Sequence, residues 1–430
     1  MSDPCRARMR VLLDISTLGL AQLHPEMRGG SFRVHGHLAE GLASSPDCQL
    51  LFCANDSSFA YQGCMEYLRT SERLTGVPLV GSSVAWAPQL RGAMSLVRSS
   101  ARRFFPHAFP ALIRDGGRYL DRQIHPVVTD ASPPVDVFHS PGTRLPPHPK
   151  RGRSPQRFLS IYDLIPFRFP ELCDDLLVHW LSGLIGSLCE EDWVMAPSEA
   201  TRADLCEHDV ASPERIFVVP LAADPERFYP CAEPGRAAAL REWLGIGTRP
   251  YLLALNTIDV RKNMEGVVRA FVQAVRQERI SDLTLVLAGH PGGGSERLTA
   301  VLEEAGEVRE RVVLPGYVPD PELAPLYSGA LGFVYPSFYE GFGLPPLEAM
   351  QCGTPVITSR TSSLPEVVGE AGILVDPHDC DALSQAMLQL YRDATLRERL
   401  HQASLQRAAQ FSRERFIRET LAAYRAALSS

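Results

Sequence analysis

The chain is nearly without lysine. Of its 43 basic residues only Lys150 and Lys262 are lysines, so arginine supplies almost every positive charge. Where lysine persists against that background, a compact point charge is wanted rather than a planar fork. The chain also lacks a basic excess. Its formal net charge of −7 argues against general nucleic-acid binding. Its ten cysteines form no Cys-x-x-Cys pair and no histidine cluster accompanies them, so they read as buried thiols in a reducing compartment and no metal site is expected. No apolar run approaches a membrane span. The start, "MSDPCRARMRVLLDISTLGL", imitates a secretory signal, but Asp14 interrupts the run and no small-residue cleavage site follows. It reads as the first buried strand of a cytoplasmic protein.

What is present is a long alternation. Apolar, β-rich runs recur at 9–16, 48–55, 135–140, 157–164, 192–197 and 216–220, then at 251–256, 283–289, 311–316, 331–337, 354–359 and 372–377, with helical patterns between them. Continuous apolar strands alternating with helices imply parallel sheets covered on both faces, and two series imply two doubly wound α/β domains. The expected boundaries are 1–219 for the first domain and 220–410 for the second. Pro220, Pro225 and Pro230 stiffen the join. Residues 411–430 read as a closing amphipathic helix, with Ile417, Leu421, Tyr424 and Leu428 on one stripe, expected to pack back on the first domain.

In such sheets ligands bind beyond the carboxyl ends of the strands. The strand "LGFVYPS" is followed by "FYEGFGLPPLEAMQCG" (338–353). Pro345 and Pro346 suit a first helical turn and Gly353 its end, so the turn Gly341–Leu344 leads to a helix N-terminus, where bare backbone and the helix dipole favour a phosphate. Glu340 before the turn and Glu348 on the helix would then each grip hydroxyls beside it, which describes a nucleotide sugar. Taken alone, such a turn is equally compatible with solvated glutamates on an ordinary connection. In "NTIDVRKNMEG" (256–266), Arg261 and Lys262 follow another strand and open a helix, where adjacent cations would neutralise a diphosphate.

Together, "YEGFGLPPLEAMQCGTPVITS", "RKN", "LPGYVPDPELAPLYSGA", "SSLPEVVGEAGILVDP", "VFHSPG" and "IYDLIPFRFPE" resemble family 4 of the retaining glycosyltransferases, from about residue 135 to the end. The resemblance implies the GT-B fold, two Rossmann-like domains facing across a cleft, and transfer of mannose or a related hexose from a nucleotide-diphosphate sugar, without metal or other cofactor. It places Glu340 and His139 at the donor sugar, and Arg261 and Lys262 at the diphosphate. The backbone of Phe342, Gly343 and Leu344 would meet the sugar and diphosphate, and Glu348 the ribose. Tyr317 and Val318 would meet the base, and Gly29 and Gly30 the diphosphate from the first domain. Many members carry a further arginine where this chain has Asn256. The implied acceptor is a glycan or lipid-linked glycan of a bacterial surface polysaccharide. The alternatives are a soluble small-molecule acceptor or a non-catalytic nucleotide-sugar-binding subunit. A phosphorylase would need a lysine for its cofactor, and only two exist.

Other features weigh less. His139 alone reads as a satisfied polar residue more readily than as a catalyst. "DCD" (379–381) has metal-like spacing but opens a helix, where capping is expected. "HPGGGSE" lacks the Lys-Ser/Thr of a P-loop. Residues 91–122 hold seven arginines against two acids, with four interleaved aromatics. They are either two ordinary helices or a patch for peripheral contact with the inner, anionic membrane leaflet.

Overall fold

A computed structural model describes residues 8–24, 29–56, 58–80, 134–148, 154–290, 292 and 294–430. Lys150 and the stretch 91–122 lie outside the described residues. Strands β1 (Met9–Asp14), β2 (Cys48–Cys53), β3 (Leu79–Val80), β4 (Val137–Ser140), β5 (Gln156–Ser160), β6 (Trp193–Ala196) and β7 (Ile216–Val218) form a parallel sheet in the order β3-β2-β1-β4-β5-β6-β7. Strands β8 (Tyr251–Leu255), β9 (Thr284–Ala288), β10 (Val312–Gly316), β11 (Gly332–Tyr335), β12 (Val356–Ser359) and β13 (Gly372–Val375) form a second, in the order β10-β9-β8-β11-β12-β13. Each strand expected from the apolar runs forms. The first run is shorter than expected, because a helix already begins at Ser16. Only β3, two half-buried residues at the sheet edge, has no such run.

Each sheet starts at an interior strand, builds to one side, then returns to build the other. The reversals fall between β1 and β4 and between β8 and β11. Loops leaving two such neighbours turn away in opposite directions and open a crevice at the carboxyl edge. Burial on both faces holds the centre of each sheet: Val11, Leu12 and Leu13 of β1, and Phe333, Val334 and Tyr335 of β11, are all buried.

The helix Met264–Gln277 shows how the sequence aims the second crevice. Met264, Val267, Val268, Phe271 and Val275 bury one stripe against the sheet. Asn263 sits in the left-handed region (φ 55°) and its Oδ1 accepts from the Gly266 N–H at 3.2 Å. Its amide nitrogen donates to the carbonyls of Pro336, at 3.2 Å, and Pro377, at 2.8 Å. One side chain thus ties the helix start to the ends of β11 and β13, and fixes the residues just before it, Arg261 and Lys262. Asp379 of "DCD" caps its own helix through Ala382 N–H at 2.8 Å, as capping chemistry predicts.

The chain passes between the sheets twice, along 219–233 and again around 409–412. The final helix, Arg413–Ser429, lies against β5 and the helix Gly30–Ser44 of the first sheet. Ile417 fills the space that a side chain at Gly41 would take. Arg413 bonds Asp224 of the first crossing at 2.6 Å, and His37 approaches the same carboxylate at 3.6 Å. Burial alone would raise the Asp224 pKa, but these partners hold it at about 2. No helix among the described residues is long and apolar enough to cross a membrane.

Replacing Asn263 with alanine removes the cap and strands two carbonyls. The expected cost is about 2–4 kcal/mol, read as a lower urea midpoint.

Candidate active site

Lys262 leaves the end of β8 and Glu340 the end of β11, the two strands flanking the second reversal. Their side chains meet there: Lys262 Nζ donates to Glu340 Oε1 at 2.6 Å and to the Tyr335 hydroxyl at 2.9 Å. The Tyr335 hydroxyl donates to the same carboxylate oxygen at 2.8 Å, and Arg261 Nη1 lies 3.1 Å from it. Burial opposes ionisation of Glu340, yet the charges of Lys262 and Arg261 outweigh it and hold the pKa at about 2. Burial lowers that of Lys262, with Glu340 opposing. The sequence treats the cations and the glutamate as separate grips; the structure makes them one cluster.

The turn after Glu340 is shaped by close approach. A Cβ on Gly341 would lie 2.0 Å from the Tyr162 carbonyl oxygen and 2.7 Å from Asp163 Cβ, both in the first domain. Ser198 and Thr201 hydroxyls donate to the Gly341 carbonyl at 2.7 and 3.0 Å. Gly343 has φ +117°, which starts the helix Leu344–Gln351 and aims its first N–H groups out of the turn. The Phe342 ring packs edge-on against Phe411, and its carbonyl accepts from the Ser363 hydroxyl at 2.7 Å. Gly29 caps the helix Gly30–Ser44 of the first domain, and a Cβ on Gly30 would sit 3.3 Å from Leu344 Cδ1. Two helix N-termini therefore face each other across the cleft.

Glu348, one turn into its helix, is buried with a side chain only 4% exposed. Its Oε1 accepts from Arg33 Nη2 of the first domain at 2.6 Å, and the Tyr327 hydroxyl donates to Oε2 at 3.4 Å. Burial still raises its pKa, opposed by Arg33. Tyr317 is 56% exposed and its ring stacks on His290, centroids 4.9 Å apart, while Val318 is buried beside it. Asn256 is buried, and its backbone N–H donates to the Ala288 carbonyl at 3.0 Å.

His139 fits the reading of the residue alone, as a satisfied polar group, and departs from the sugar contact that the resemblance implies. It is 0% exposed, with Nδ1 bonded to the Tyr424 hydroxyl at 2.6 Å and Nε2 to the Ser160 hydroxyl at 2.8 Å. Burial pushes its pKa down to about 3, so it stays neutral. It joins the final helix to the first sheet, and neither nitrogen is left for a sugar. The sequence reading did not single out Tyr335, which lies within the quoted strand "LGFVYPS", nor Arg33 and Asp163. Asp163 faces Arg261, Lys262 and Glu340 from the first domain; burial raises its pKa. Among the described residues, His148, Cys189 and Asp192 bring possible metal-ligand atoms within 4.8 Å of one another. They lie at the opposite edge of the first sheet, where Arg157 already holds Asp192 at 2.9 Å.

Two doubly wound domains with a cationic, carboxylate-lined cleft define a GT-B glycosyltransferase. The family described as Glycosyl transferases group 1 matches residues 249–393. The O-antigen chain mannosyltransferase B of Escherichia coli is 34% identical over 290 residues, 67% of this chain and 74% of that protein. The serotype-specific mannosyltransferase WbdA of Escherichia coli is 36% identical over 164 residues, 38% of this chain but only 20% of that longer protein. Sucrose-phosphate synthase from Thermosynechococcus elongatus shares the fold, with a TM-score of 0.65 at 22% identity over 97% of this chain and 99% of that one. The chain belongs to the group 1 glycosyl transferases, the family 4 enzymes that its motifs resemble.

Glu340→Gln should reduce stability at pH 7 by about 3 kcal/mol, the linkage equivalent of a pKa held from 4.5 down to about 2. A depressed carboxyl stabilises above its unfolded pKa and loses that contribution as pH falls, so the gap between wild type and variant should close between pH 4.5 and 2. Urea titrations at stepped pH measure it. Tyr424→Phe, which leaves the buried His139 nitrogen unpaired, should cost about 1–3 kcal/mol in the same assay.

Proposed function

We propose that the protein is a retaining, metal-independent hexosyltransferase. It moves mannose or a related hexose from a nucleotide-diphosphate sugar to a glycan or lipid-linked glycan in surface polysaccharide synthesis. The observation that carries this reading is the convergence of Arg261, Lys262 and Glu340 at the β8–β11 reversal, beside the N-terminus of the helix Leu344–Gln351. The choice of sugar and acceptor is supported by the mannosyltransferase relatives.

In the donor complex, Arg261, Lys262 and the N–H groups of Gly343 and Leu344 hold the diphosphate. Glu348 takes the ribose hydroxyls, and the base lies against Tyr317 and Val318. Gly29 and Gly30 close over the phosphates from the first domain. As the bond from the anomeric carbon to phosphate oxygen breaks, its electron pair passes to the diphosphate, and the two cations stabilise that charge in a water-poor cleft. The acceptor oxygen attacks the same sugar face, its proton passing to the departing phosphate oxygen, so configuration is retained. Glu340, released in part from Lys262, steadies the positive charge on the sugar. The basic stretch 91–122 gives transient contact with anionic lipid beside a lipid-linked acceptor.

A screen of nucleotide sugars for hydrolysis and protein stabilisation identifies the donor. Lys262→Ala should then lower donor affinity and turnover together, by about 10- to 150-fold for a lost charge-assisted contact. Glu348→Ala should mainly weaken free nucleotide binding, and Glu340→Ala mainly turnover; equal loss of free-nucleotide binding in both would refute this division. Proton NMR of the product should show the donor's anomeric configuration, and activity should survive EDTA. Anionic liposomes should bind the protein at low salt, and less so after Arg98, Arg102 and Arg103 are replaced by serine. Indifference to such liposomes would favour a soluble acceptor.

A further inference from the structure

Arg33 stands at an unfavourable place for a cation. It closes the first turn of the helix Gly30–Ser44, where the positive end of the helix dipole repels it. A charge kept there against the local field calls for a partner elsewhere, and one is found across the cleft. Arg33 Nη2 bonds Glu348 Oε1 at 2.6 Å, 315 residues along the chain, on the helix whose N-terminus faces its own. The guanidinium also lies over the Phe228 ring, 5.6 Å from its centroid, which fixes its plane.

We propose that Arg33 is a donor ligand supplied by the first domain: it holds the Glu348 carboxylate in place for the ribose and turns its remaining N–H groups to the diphosphate. The assignment rests on the donor reading of the cleft given above. A guanidinium has five N–H donors in a fixed fork, and among the described residues Glu348 is the acceptor its side chain reaches. Its side chain is 21% exposed against 4% for Glu348, so part of the arginine remains accessible beside the buried carboxylate. Gly30, three residues earlier, abuts Leu344, which puts the fork close to the facing helix N-termini where phosphates are favoured. The neighbouring cations are each paired with a carboxylate, as Arg33 is. Arg227 is bonded to Asp320 and lies near Asp224, and Arg261 and Lys262 share Glu340. On Glu348, Oε2 accepts a long contact from Tyr327 at 3.4 Å, which a ligand hydroxyl would have to displace or join. Arg33 thereby makes nucleotide binding depend on the closeness of the two domains.

Calorimetric titration of the full chain with the nucleoside, its monophosphate and its diphosphate tests this, using the base that the donor screen identifies. Arg33→Ala should weaken the diphosphate about tenfold or more and the nucleoside by less than about threefold, with the monophosphate between. Arg33→Lys, which keeps the charge but loses the fork, should recover part of the diphosphate affinity. Circular dichroism and melting confirm that each variant folds. Equal loss for nucleoside and diphosphate would overturn the proposal, since Arg33 would then act on Glu348 alone. Tighter nucleoside binding would also overturn it, by making Arg33 a competitor for the ribose site. Unchanged affinities would do the same. A wild type that binds no nucleoside diphosphate overturns the donor reading itself, a result distinct from all of these.

Discussion

A buried carboxylate cannot stay ionised without company, and Glu340 organises this protein around that constraint. Its compensation comes from Lys262, Arg261 and Tyr335, which arrive from the ends of two neighbouring strands. The sheet order brings those ends together, and Asn263 locks the segment carrying the cations. Removing one partner of such a cluster leaves an uncompensated charge, which is why the arrangement tolerates little drift. A site built this way holds its charges in position before any ligand arrives, and the same charges can then be turned to a ligand with little reorganisation.

Polar contacts bridge the two domains beside an apolar core that both contribute to. The Gly341 carbonyl is held by Ser198 and Thr201, Arg33 reaches Glu348, and Glu366 accepts from the backbone of Glu199 and Ala200 at the start of a first-domain helix, both at 2.8 Å. Polar interfaces of this kind within one chain permit relative motion.

Much of this was legible in the residues. Parallel strands buried on both faces appear as unbroken apolar runs, so twelve strands could be read directly, whereas β3, with two half-buried residues, leaves no such mark. Lys262 stood out because the chain otherwise uses arginine. Arg33 did not, for the same reason: in an arginine-rich sequence it looks ordinary until the helix boundary shows it working against the dipole. His139 could be read as a satisfied polar group but not assigned its partners, since Tyr424 is 285 residues away. No local pattern distinguishes a histidine satisfied by a distant hydroxyl from one left open to a ligand.

The final helix belongs in sequence to the second domain and in space to the first. The chain therefore crosses between domains at two places, and Asp224 of one crossing is bonded to Arg413 at the other. A body held by a single strand can swivel freely; a second strand beside the first narrows that freedom. The bond between Asp224 and Arg413 therefore ties the two crossings into one joint.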